Sequence, residues 1–169
     1  LIFCLVLVVT NINKLYTLGL RKTKLKETLI TASVIFALSL LINVQQIITN
    51  KITIYDFVFN MLFALIAIGF VEEFIFRGYM WPRLVVLFGR HKGTLICGAL
   101  FGLMHVISIC KYDNDNFDLL PIFNTIWEGI AGQYVFMFLY CYARNIYFPS
   151  ILHAAPHFFA IERRVKKSL

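Results

Sequence analysis

Apolar residues run along this chain in stretches too long for the core elements of a soluble protein, and short polar clusters separate them. Runs of about 17–25 apolar residues are long enough to cross a bilayer as helices. On that basis the pattern predicts the end of one helix at 1–10 and full helices at about 28–48, 52–70, 94–110 and 121–143. A last apolar run covers about 147–161. Between the third and fourth runs lies 71–90, less hydrophobic and opening on charge as Val71-Glu72-Glu73-Phe74-Ile75-Phe76-Arg77-Gly78. No repeat appears, and no connecting stretch is long enough for a second domain. The expected architecture is all-α, a polytopic transmembrane bundle of about six to seven helices forming one integral-membrane domain over 1–169. Because the chain opens at Leu1 inside an apolar run and without Met, 1–9 reads as the tail of a longer helix with N-terminal residues missing, rather than as a signal peptide.

Composition narrows the class further. Of the 169 residues, 60% are hydrophobic and 15% charged, with a mean hydropathy of +0.77. Soluble domains average about 45–50% apolar and about 25% charged. A soluble enzyme of this length could not hide so much apolar surface in one core, and a disordered chain would not carry it. The net charge of +7 sits in clusters between the apolar runs: Lys14, Arg21, Lys22, Lys24 and Lys26, then Arg83, Arg90 and Lys92, then Arg163, Arg164, Lys166 and Lys167. Such clusters anchor loops against anionic lipid headgroups, so the partner they imply is membrane lipid and not nucleic acid.

The positive-inside rule places 11–26 and 77–92 in the cytoplasm and the loop Asp113-Asn114-Asp115 outside. The last basic cluster breaks the alternation. Either the final helix is short or re-entrant, or 71–88 is itself embedded. The localisation expected is multi-pass in a membrane, the cell membrane if the source is prokaryotic. Cys4, Cys97, Cys110 and Cys141 lie in or beside apolar runs without metal-type spacing, which suits small core residues.

An ionisable group in hydrocarbon costs at least about 2.5–3.5 kcal/mol, so each one within a span needs a reason. If 71–88 is helical, Glu73 and Arg77 share a face as a charge pair, and Glu72 stands about 100° away without that partner. A carboxylate left free near the membrane interior is a candidate general base. His105 sits alone in an uncharged span, the usual setting of a neutral histidine satisfied by one hydrogen bond. His153 and His157, four apart, have a spacing that suits a metal, although Pro156 between them clashes with the Leu152 carbonyl, so a kink is expected to alter their relative aim. Glu128, Gly129, Gly132 and Gln133 read as a helix-packing stretch, with Glu128 bonding across the contact. Asp56 and Asn60 suit a helix start, and His91 a solvent-facing loop. Together, a carboxylate and histidines on separate helices form an inventory for activating water and stabilising an oxyanion, with or without a metal.

In order and content these motifs resemble the CAAX prenyl protease and bacteriocin-processing family of intramembrane proteases, also called the abortive-infection family. The first motif of that family, a Glu pair followed by Arg, is matched by Glu72, Glu73 and Arg77, with Gly78-Tyr79 after it. The second, Phe with His four on, is matched by Phe101 and His105. The third, His with Asn or Asp four on, is matched at His153, while His157 takes the Asn position. The similarity covers about 70–160, the protease-like core, and 1–69 match only as generic helices.

The resemblance implies an endopeptidase acting on a peptide or protein substrate, prenylated or bacteriocin-like, at or in the membrane. In this reading Glu72 and His105 position and deprotonate water, and His153 stabilises the oxyanion. His157 is either an oxyanion donor or a metal ligand, and Glu73 and Arg77 support the site. Members are commonly labelled metalloproteases. A Zn2+ ion held by Glu72, His105 and His153 and a metal-free glutamate both stay open. The competing reading is a catalytically silent bacteriocin self-immunity or binding protein on the same fold. A small proton-coupled transporter using Glu72 and Glu128 is a third, against which the absence of internal repeats argues.

Overall fold

The computed structural model describes residues 6, 9–10, 12–49, 52–110 and 119–159. Cys4, the acidic loop Asp113-Asn114-Asp115, the last basic cluster and most of the run at 1–10 lie outside these residues, as does the side chain of Cys110. After a 3-10 segment at Ile12–Leu18, five helices follow: α1 (Leu25–Ile48), α2 (Ile54–Phe88), α3 (Arg90–Cys110), α4 (Leu119–Ala143) and α5 (Tyr147–Phe159). Among the described residues there is no strand.

The clearest departure from the hydropathy pattern is α2. The segments expected separately at 52–70 and 71–90 are one continuous helix of 35 residues. The dip in hydropathy at 71–77 comes from Glu72, Glu73 and Arg77; the last two are fully buried, so they face protein, and the helix runs on through all three. Two stretches, Ala64–Phe70 and Phe74–Met80, are wound as wider π turns on either side of Val71–Glu73. With α2 joined in this way, five helices stand among the described residues where about six to seven were expected. Two of them, α1 over Leu25–Gln45 and α2, are long and apolar enough to cross a membrane.

Local chemistry sets the helix ends. Thr53 and Asp56 form a capping box at the start of α2, each side chain accepting from the other's backbone N–H. Gly89 adopts φ +78°, a left-handed conformation that glycine takes without a Cβ penalty, and it separates α2 from α3. The buried Asn145 caps α5: its Oδ1 accepts from Phe148 N at 2.9 Å, while its Nδ2 donates to Thr23 O. At the other end of α5, Ser39 and Asn43, both buried on α1, donate to the Phe158 carbonyl at 3.3 Å each. That carbonyl lies in the last turn, where no intrahelical donor remains.

The chain forms two compact units. The first comprises 1–74 and 143–169, and so holds α1, the first part of α2 and α5. Its core joins Ile35 of α1, Phe57, Met61 and Ala64 of α2, and Ile151, Ala154 and Phe158 of α5. The second comprises 75–142, with the rest of α2, α3 and α4. Here α3 and α4 cross on glycine: a Cβ on Gly102 would meet Ile126 Cα at 2.6 Å, and one on Gly129 would meet Gly102 Cα at 2.5 Å. Gly98 and Gly102 are four apart, the spacing that lets membrane helices approach backbone to backbone. Gly132, expected beside Gly129 at this contact, faces open space, and Glu128 is exposed rather than bonded across it. The contact belongs to the glycines of α3, because only they present backbone to Gly129.

Large apolar side chains face outward on α1 to α4, Leu41, Phe59, Val86, Leu103 and Phe138 among them, whereas no large exposed hydrophobic lies on α5 among the described residues. Outward apolar faces suit lipid, and the enclosed helix is the one that carries two histidines.

Overpacking a tight crossing costs about 1–3 kcal/mol, so Gly102→Ala lowers the thermal stability of the detergent-purified protein. Gly132→Ala, with open space around the new methyl, leaves it unchanged or raises it by up to about 1 kcal/mol. Equal melting temperatures for the two variants would contradict the assigned crossing.

Candidate active site

Glu72 and Glu73 occupy the single α-helical turn between the two π stretches of α2. Wide turns of this kind occur often at functional sites because they re-aim the side chains that follow. Across the first unit, α5 brings His153 against both carboxylates. His153 Nδ1 stands 2.7 Å from Glu73 Oε1, and its Nε2 stands 3.4 Å from Glu72 Oε2. Glu73 has no exposed surface, while the side chains of His153 and Glu72 keep 13% and 18%.

The roles of the two ring nitrogens follow from the partners. A carboxylate facing Nδ1 at 2.7 Å accepts a hydrogen bond, so Nδ1–H donates to Glu73. The proton on Nδ1 leaves Nε2 as a lone pair in the neutral ring and as a second donor in the imidazolium. Glu73, fully buried, orients the ring. Glu72, beside Nε2, keeps part of its side chain exposed, while the Oε2 that faces the ring is buried. At 3.4 Å the contact is long for a strong hydrogen bond. The free Glu72 expected from helix geometry is therefore one of two carboxylates disposed around one imidazole, because α5 supplies a partner that sequence spacing within α2 does not contain.

Arg77 and His105 lie in the second unit. Arg77 has no exposed surface, and its guanidinium stands 5.1 Å from the ring centroids of both Phe101 and Phe136, a cation held between two aromatic faces. Phe101 also packs edge-on against Phe76 and lies 4.6 Å from the His105 ring. The four-residue spacing of Phe101 and His105 has a further consequence: His105 Nδ1 donates to the Phe101 carbonyl at 3.0 Å, which leaves Nε2 as the lone-pair nitrogen of the neutral ring. His157 is half-buried on α5, one turn beyond His153, and α5 continues through Pro156. His91 is exposed.

Two ligands of one tetrahedral zinc stand about 3.3–3.6 Å apart, and Glu72 Oε2 and His153 Nε2 have that separation. Catalytic zinc takes three protein ligands, however. Among the described residues no group of three His, Cys, Asp or Glu is disposed to hold a metal ion, because Glu73 meets the other ring nitrogen of His153, so this pair does not make up a zinc set by itself.

Sequence reasoning passed over Phe136, Gly98 and Gly102, which build the surroundings of Arg77 and the α3–α4 crossing. The four-residue glycine spacing was a readable signal, and nothing local marks Phe136.

Removing a partner from a charged buried hydrogen bond costs about 1.5–3 kcal/mol, so Glu73→Ala lowers the thermal stability of the purified protein by that order. Glu72→Gln, at the open edge, changes it by under about 0.5 kcal/mol. A Glu72→Gln loss as large as the Glu73→Ala loss would contradict the division between orienting and open carboxylates.

Residues 54–159, well over half of the chain, match the family model described as Type II CAAX prenyl endopeptidase Rce1-like. The match begins at the first residue of α2 and closes at the last of α5, so it takes in the whole second unit, α2 and α5 of the first, and every motif residue. No curated protein and no solved structure matches the chain. The chain belongs to the Type II CAAX prenyl endopeptidase Rce1-like family of membrane-embedded proteases.

Proposed function

We propose that this protein is a multi-pass intramembrane endopeptidase in which Glu72 and His153 activate water and carry its proton to the leaving amine. The observation behind the reading is the disposition of His153, with Nδ1 on buried Glu73 and Nε2 beside Glu72. Water held at Glu72 loses a proton to that carboxylate as its oxygen attacks the scissile carbonyl carbon. The proton passes to Nε2, and Glu73 steadies the imidazolium that forms. The new Nε2–H donates to the oxyanion, then gives its proton to the amine nitrogen as the C–N bond breaks. The products are a carboxylic acid and an amine, and His153 returns to its starting state. Preorganised donors of this kind commonly supply a factor of about 10²–10³ in rate.

His105 is kept in the reading on its motif. With Nδ1–H committed to the Phe101 carbonyl, its neutral ring presents Nε2 as an acceptor, the tautomer a water-orienting histidine needs. His157 stands where the family motif has Asn or Asp and serves as a second oxyanion donor. No step runs through a metal. The substrate is a peptide segment within or beside the bilayer, and the lipid-facing apolar surfaces of α1 to α4 favour a multi-pass arrangement.

Purified protein in lipid nanodiscs, offered quenched-fluorescent peptides with a prenylated or plain C-terminal region, tests this. Glu72→Gln lowers kcat by about 10²–10⁴-fold while the protein stays folded. Full activity in Glu72→Gln would overturn the assignment. A parent that binds peptides without cutting them would favour the self-immunity reading. Zinc retained at one ion per chain and lost together with activity in Glu72→Gln would overturn the metal-free mechanism.

A further inference from the structure

The distance at which α5 meets α2 is set one turn before the Glu pair. Gly69 is buried in the π stretch, facing α5. A Cβ there would stand 2.4 Å from the backbone oxygen of Ser150 and 3.1 Å from the Cβ of Ala154. The first is an impossible contact with an atom that no rotamer change can remove. The Ser150 hydroxyl is turned along its own helix and donates to Ile146 O at 2.6 Å, so it does not fill the gap. Ala154 is fully buried. Ser150 and Ala154 bracket His153 on α5, just as Gly69 precedes Glu72 and Glu73 by three and four residues on α2.

We infer that Gly69 is a positioning residue for the proteolytic site, and that its missing side chain lets His153 reach Glu73 and Glu72 together. The inference rests on the proposed catalytic role of that cluster, and it adds a residue outside the sequence motifs. Any side chain at 69 pushes the Ser150 turn of α5 away from α2. The 2.7 Å bond between His153 and Glu73 has little slack, because Glu73 is enclosed and its reach is already used. A displacement of about 1 Å at a reacting geometry costs on the order of 10²-fold in rate.

The test compares Gly69→Ala with Gly132→Ala, whose added methyl meets nothing within 4 Å. Two readouts are taken on folded, monodisperse protein in nanodiscs: peptide turnover, and the nitrogen NMR spectrum of isotope-labelled histidine, in which the His153 Nδ1–H bonded to a carboxylate is identified by its loss in Glu73→Ala. Gly69→Ala is expected to lower kcat by about 10²-fold with KM within about twofold, and to weaken or abolish the Nδ1–H signature. Gly132→Ala keeps both. Should Gly69→Ala fail to fold, Ala154→Ser adds one atom on the α5 side of the same contact and moves both readouts in the same direction by less. Either variant, folded, with the parent's kcat and the parent's His153 signature, overturns the inference. A parent without peptidase activity overturns the proposed function, while the histidine spectrum still decides the role of Gly69.

Discussion

A carboxylate with no exposed surface, set in an apolar helix, is the constraint from which the rest of the first unit follows. A charge removed from water must be met by a partner of good geometry, or the fold loses several kcal/mol per ion. Glu73 meets that requirement through His153 at 2.7 Å, across 80 residues of sequence. The bond fixes which ring nitrogen carries its proton, which way the imidazole points, and how closely α5 must approach α2. The same approach brings the other nitrogen to Glu72, which keeps some exposure. One buried interaction thus orders the ring, and Glu72 flanks its other nitrogen.

The surrounding structure is arranged to hold that contact. Ser39 and Asn43 bind the last turn of α5 through the Phe158 carbonyl, and Asn145 caps its first. Both ends of a helix of 13 residues are therefore fixed, which limits how far His153 can slide or rotate. In the second unit the corresponding device is aromatic: Phe101 and Phe136 enclose the Arg77 guanidinium, and Phe101 also supplies the carbonyl that orients His105. Each motif histidine is thus held through Nδ1 by a backbone or carboxylate oxygen, a pattern that presents Nε2 in both.

Much of this was legible in the sequence. The helices at Leu25–Ile48, Leu119–Ala143 and Tyr147–Phe159 stand close to the apolar runs, because polar clusters and turn residues bound both. The identities of Glu72, Glu73, Arg77, His105 and His153 were readable because charge in such a run is costly enough to need a reason. Their arrangement was not readable. Hydropathy averages over a window, so three charges, two of them fully buried, made the middle of α2 look like a break between helices. Helical spacing relates Glu73 only to residues of its own helix, Arg77 among them, whereas His153 comes from the far end of the chain and only tertiary packing brings it there. Gly69 carried no pattern at all, since its importance lies in an atom it lacks.

The central claim is that Glu72 and His153 work as one unit on the same water, and a double-mutant cycle on turnover tests it most directly. Groups that act together are non-additive, so removing the second after the first costs little more. With Glu72→Gln, His153→Ala and the double variant assayed on one peptide in nanodiscs, the account predicts that the double variant keeps the residual rate of the slower single variant. Losses that multiply would contradict it, showing two residues that act on the reaction independently.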